Sequence, residues 1–132
     1  MQDSDIGRVQ SLVKAGRFRD ALASLRSMSP GGSDERVERD AILCELLLRT
    51  GSTERTLQAA KSLLATKPRR PDIAARVRIV LAGALDQAGH QIPSINEYKA
   101  AIALAKSAKL DAIVAWGELA MLPTVANSAG TE

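Results

Sequence analysis

Apolar side chains recur three and four positions apart along almost the whole of this chain, and that spacing confines it to helices. Ile6, Val9 and Val13 set a first stripe, and Phe18, Leu22, Leu25 and Met28 a second. Val37, Ala41, Cys44 and Leu48 mark one face of a third helix, whose other face carries Ile42, Leu43, Leu46 and Leu47. A helix apolar nearly all round is buried on more than one side, so the third belongs in the middle of the array. Leu57, Ala60, Leu63 and Leu64 build a fourth helix, and Ile73, Val77, Leu81, Ala84, Leu85 and Ala88 a fifth. Ile95, Tyr98, Ile102 and Ala105 form the sixth stripe; Leu110, Ile113, Val114, Trp116, Ala120 and Met121 form the seventh. Strict alternation of apolar and polar residues never lasts more than a few positions. The expected fold is all-α, with about seven helices.

Helix-breaking residues punctuate the stripes. The run from Ser29 through Pro30, Gly31 and Gly32 to Ser33 is the clearest loop, and Ser33 or Asp34 is placed to cap the helix after it. Gly16, Gly51 and Gly89 end helices, and Pro68 forbids the fourth from continuing. Pro71 suits a first helical turn, with Asp72 favourable to the dipole there. Ser94, Ile95, Asn96 and Glu97 read as a capping box opening the sixth helix. Pro123 is expected to close the seventh, leaving residues 1–123 as one helical domain and 124–132 as a disordered polar tail.

Composition removes whole classes of function. One cysteine, Cys44, and one histidine, His90, rule out an internal disulfide, a multi-thiolate zinc site and a multi-histidine metal centre. The longest apolar run that admits glycine, Ile79 to Leu85, is far below the ~20 residues that cross a bilayer. The acidic start, Asp3 and Asp5, is unlike a secretory leader. A cytoplasmic protein without membrane contact is expected. His90 stands in a turn with no nucleophile pattern nearby, Cys44 lies on the most apolar helix, and no strand precedes a glycine-rich loop. No catalytic residue, metal ligand or cofactor is assigned.

The formal charge is +3, from 18 basic and 15 acidic side chains. Residues 1–50 are balanced, so the surplus falls later, most densely at Lys67, Arg69, Arg70, Arg76 and Arg78 against Asp72 alone. Such a cluster either solvates an inter-helix turn or meets polyanions, with Lys67, Arg69 and Arg70 as the contacts. The only aromatics, Phe18, Tyr98 and Trp116, are expected in the core, which disfavours base stacking and nucleic-acid binding.

The three helix-ending glycines also set a period. They lie 35 and 38 residues apart, and the segments before them align: Leu12 to Gly16, Leu47 to Gly51, Leu85 to Gly89. With Phe18, Ala21, Leu22 and Leu25 after the first, Leu57, Ala60, Leu63, Leu64 and Pro68 after the second, and Ile95, Tyr98, Ala101 and Ile102 after the third, the chain resembles the tetratricopeptide repeat family over roughly residues 3–122. Cys44 and Ala82 stand where that family packs helix on helix. The spacings exceed the family's usual 34, and Thr53 and Gln91 replace an aromatic.

The resemblance implies a right-handed α-α superhelix of about three hairpins plus a C-terminal capping helix, with the first helix of each hairpin lining a concave wall. Mapped on the motif, that wall holds Glu38, Ala41, Glu45, Leu48 and Arg49, then Arg76, Ile79, Gly83, Asp86 and Gln87. The family's clamp for a C-terminal carboxylate lacks its residues here. The implied work is non-catalytic binding of a peptide or helix of another protein. Two alternatives are a sensor or regulatory segment of a larger signalling or transcription-regulating protein, and a nucleic-acid-binding accessory using the Lys67 to Arg78 region. Oligomeric state is not legible. Within the wall, Gly83 reads either as space for a ligand or as a close helix crossing.

Overall fold

The computed structural model describes residues 2–28 and 32–130. They form seven helices: α1 (Gln2–Lys14), α2 (Phe18–Ser27), α3 (Ser33–Arg49), α4 (Thr53–Ala65), α5 (Pro71–Gln87), α6 (Gln91–Ser107) and α7 (Asp111–Gly130). No strand occurs among the described residues. Most of the expected loop, Ser29 to Gly31, lies outside them. Gly32 takes the N-cap of α3 in place of Ser33 or Asp34.

One turn geometry recurs. Gly16, Gly51 and Gly89 adopt φ of 77°, 85° and 87°. The residues after them, Arg17, Ser52 and His90, have φ of −90°, −89° and −96° with ψ of 67°, 68° and 72°. Each turn closes with the same two bonds: the N–H groups of Gly16 and Arg17 donate to the carbonyls of Val13 and Leu12, those of Gly51 and Ser52 to Leu48 and Leu47, and those of Gly89 and His90 to Asp86 and Leu85. This paired closure satisfies carbonyls a helix end leaves open, and it needs a left-handed residue, where glycine has no steric cost. Space is not the constraint, since a Cβ at any of the three would meet nothing within 4 Å. Lys109, at φ 59°, closes α6 with the same pair of bonds. Lys67, at φ 52°, makes only the first, to Leu64, because Pro68 has no N–H to make the second.

Sequential helices pack in pairs, and α3 also meets α5, which meets α7. Three apolar clusters fill the interior. Val9, Ala21, Leu25, Ile42 and Leu46 join α1, α2 and α3. Ala41, Cys44, Ala60, Leu63, Ile73, Val77, Val80 and Leu81 join α3, α4 and α5. Ile79, Ala82, Tyr98 and Ala101 form the third, against Ile113, Trp116, Ala120 and Met121 of α7. Helix α3 contributes to the first two clusters and α5 to the last two. Their nearly all-round apolar sequences have this physical cause.

Two boundaries differ from expectation. Helix α6 begins at Gln91, not after a capping box at Ser94. The Ser94 hydroxyl is fully buried and donates to the Ala82 carbonyl of α5 at 2.6 Å, while Glu97 pairs with Arg78 at 3.0 Å. Both side chains are spent on the neighbouring helix rather than on their own N-terminus. The disordered tail expected from residue 124 is also corrected. Helix α7 runs through Pro123 to Gly130, and Thr124 is 1% exposed. Proline inside a helix forfeits one hydrogen bond and crowds the preceding turn, and here packing of α7 on α5 and α6 outweighs that cost. The last two residues lie outside the described chain.

Candidate partner-binding groove

A groove of about 370 Å³ opens where α3, α5 and α7 meet. Its lining contains Leu48, Ile79, Val80, Gly83 and Ala120, together with Phe18, Tyr98 and Trp116, which are all the aromatic residues of the chain. Tyr98 is buried, whereas Phe18 and Trp116 are only partly covered. All three pack in or against the core as expected, and Phe18 and Trp116 also leave part of their surface on the groove. The signal available in sequence was scarcity: with three aromatics in all, their shared location carries unusual weight, but only tertiary packing brings positions 18, 98 and 116 together.

Gly83 sits where α5 faces Leu48 and Tyr98. A Cβ there would stand 3.0 Å from Leu48 Cδ2 and 3.7 Å from the Tyr98 hydroxyl oxygen. Both readings of Gly83 meet at this point, because the missing side chain relieves the approach of α3 and also leaves the groove its depth. At the other crossing, a Cβ on Gly117 would lie 2.9 Å from Ile102 Cγ1 and 3.4 Å from Ile79 Cδ1, so Gly117 serves packing of α7 alone.

Polar groups frame the apolar floor. Arg49 Nε lies 3.3 Å from Glu45 Oε2, and its guanidinium stands over Phe18, 5.3 Å from the ring centroid. That cation–π contact is worth about 0.5–1 kcal/mol at an exposed site and orients both side chains. Gln87 Oε1 accepts a bond of 2.8 Å from the Thr53 hydroxyl. Burial first, and the charge of Asp86 second, push the Tyr98 phenol above its ordinary range.

Six of the ten residues expected on a wall line this groove: Glu45, Leu48, Arg49, Ile79, Gly83 and Gln87. The other four do not. Ala41 is 3% exposed inside the α3–α4–α5 cluster, because the face of α3 that carries it is covered by α4 and α5. Glu38 accepts a bond of 3.4 Å from Arg70 at the α4–α5 turn. Asp86 acts on Tyr98 from outside the lining. Arg76 faces an adjoining depression of about 290 Å³ with Gln10, Val13, Lys14, Ile42 and Glu45.

The basic turn is less basic than its sequence. Arg70 donates to both carboxylate oxygens of Asp72 at 3.1 and 2.7 Å and reaches Glu38 as well, and its hydrogen bond holds the Asp72 carboxyl below its usual range. Arg78 is paired with Glu97. Only Lys67 and Arg69 remain exposed there without an ion pair among the described residues.

Cys44 is buried and its thiol is pushed up to about 11, by burial and then by the charge of Asp40. His90 is exposed at the N-cap of α6. Among the described residues no group of three or more metal-ligating side chains comes together, and no helix is long and apolar enough to cross a membrane. Neither the protein-family models, nor the curated proteins, nor the solved structures contain a match to this chain.

Proposed function

We propose that this chain is a non-catalytic interaction module that binds a segment of another protein in the groove between α3, α5 and α7. The convergence of Phe18, Tyr98 and Trp116 on that groove carries the reading. Aromatic side chains supply large contact area at little entropic cost and dominate the energetics of protein interfaces. An apolar floor of aliphatic and aromatic side chains, rimmed by Glu45, Arg49 and Gln87, suits a peptide or helix with apolar anchors and a few polar register contacts. The shared turn at Gly16, Gly51 and Gly89 supports a degenerate tetratricopeptide-like arrangement, in which α1, α3, α5 and α7 line the inner wall of a superhelix and α7 caps it. A cytoplasmic adaptor or regulatory segment fits this reading.

The test is site-directed photo-crosslinking in the source cell. A photo-reactive residue at Gln87, on the groove, should trap a protein; one at Lys61, on exposed α4, should not. Adding the trapped protein's contact segment to the purified chain should shift the emission of Trp116, the sole tryptophan. Gly83→Ala, which fills the groove by one methyl group against a Leu48 side chain able to rotate, should fold normally and weaken that response. Trapping from Lys61 alone, or an emission unchanged at saturation, overturns the reading.

A further inference from the structure

The groove continues on both sides, and the charges on its continuations do not balance. Through Phe18 and Arg49 it joins a depression of about 620 Å³ that also holds Arg17, Arg19 and Asp20. Through Glu45 it joins the depression that holds Lys14 and Arg76. This connected surface is lined by five basic side chains and two acidic ones. Both carboxylates are already taken: Asp20 accepts from Arg17 at 2.8 Å and Glu45 pairs with Arg49 at 3.3 Å. Lys14, Arg19 and Arg76 have no ion pair among the described residues. The surplus on this one surface equals the +3 of the entire chain.

We infer that the segment bound here is an acidic amphipathic peptide. This rests on the groove being the binding site. Apolar side chains of the peptide fill the slot beside Leu48, Gly83 and Trp116. Its carboxylates lie to either side, one set at Arg19 and Arg49, the other at Lys14 and Arg76. Complementary charge at such a rim raises the association rate and rejects partners of the wrong sign, while the apolar slot sets how slowly the complex comes apart. A nucleic acid fits the cations but not the slot. Of its three rings, Tyr98 is too buried to stack on a base and Phe18 is already faced by the Arg49 guanidinium, which leaves Trp116 alone, and Glu45 would stand among the phosphates.

The experiment is a selection from a displayed library of random peptides of about 15 residues, long enough for roughly four helical turns. Wild-type protein is the bait and Gly83→Ala the counter-bait. Enriched peptides should combine Leu, Phe or Met at helical spacing with an excess of Asp and Glu. Arg19→Glu with Arg76→Glu, checked for folding by circular dichroism, should bind the best of them about tenfold more weakly at physiological salt and favour a Lys-substituted version. Enriched apolar peptides without acidic bias, or unaffected by the double reversal, overturn the acidic inference and leave the groove reading standing. If nothing is enriched over the counter-bait, both fall. If a fluorescent oligothymidylate binds more tightly than every selected peptide and is lost on the same reversal, the surface belongs to nucleic acid and the peptide inference is wrong.

Discussion

Cys44 carries a pH dependence that its position alone imposes. The thiol is 1% exposed, and burial and Asp40 raise it from the ordinary 9.0 to about 11. The folded state therefore disfavours the thiolate relative to the unfolded chain. Stability from this group is complete below pH 9.0 and declines as pH rises through about 11, a displacement worth about 3 kcal/mol at most. Urea unfolding of wild type and Cys44→Ala across that window isolates the effect, because every other ionisable group is common to both proteins. The gap between the two stabilities should narrow as pH rises; a constant gap would mean that Cys44 ionises as easily folded as unfolded. The burial of Cys44 was legible in sequence because helical spacing puts it on an apolar face. The role of Ser94 was not. A serine three residues before a glutamate has the same sequence whether its hydroxyl caps its own helix or bonds the Ala82 carbonyl of another, and only the closeness of α5 and α6 selects the second.

Helix ends were the most legible elements, because glycine reports a backbone conformation directly. Gly16, Gly51 and Gly89 all fall at positive φ, as helix-ending positions require. Lys109 makes the same closure without glycine, and sequence gave no sign of it. A side chain held at left-handed φ costs about 1 kcal/mol relative to glycine. Lys109→Gly should accordingly raise stability by about that amount, and Gly51→Ala should lower it by a similar amount, each read from denaturant midpoints at unchanged slope. Equal destabilisation by both would show that the Lys109 side chain makes a contact worth more than its strain. The misplaced end of α7 has the converse explanation. Proline is a strong stop signal, yet its cost of about 3 kcal/mol is finite. Ile113, Trp116, Ala120 and Met121 anchor the helix before it, and burial of Thr124 engages the turn beyond. Tertiary packing overrode a local rule.

At the scale of the whole molecule, the helical class and the order of seven helices follow from periodicity, whereas the groove does not. Periodicity separates covered from uncovered faces within one helix. It is silent on which uncovered faces meet across α3, α5 and α7, so Ala41 was misassigned to a wall, and the partly covered sides that Phe18 and Trp116 turn to the groove while packing on the core went unseen. The three clusters also predict an order of unfolding. Helix α5 belongs to two of them and packs against α3, α4, α6 and α7. Helices α1 and α2 reach the rest through Ile42 and Leu46 on α3. Opening the first hairpin exposes one cluster, while opening α5 exposes two, and local stability tracks the apolar surface each opening uncovers. Amide hydrogen exchange should thus be fastest in α1 and α2 and slowest in α5. Leu46→Ala, at a fully buried position, removes contacts worth about 2–5 kcal/mol. It should bring exchange in α1 and α2 close to the unprotected rate while α5 and α6 keep most of their protection. Uniform loss of protection in all seven helices would instead show that the clusters unfold as one unit, and that the groove is held by the entire array rather than by its α3–α5–α7 contacts.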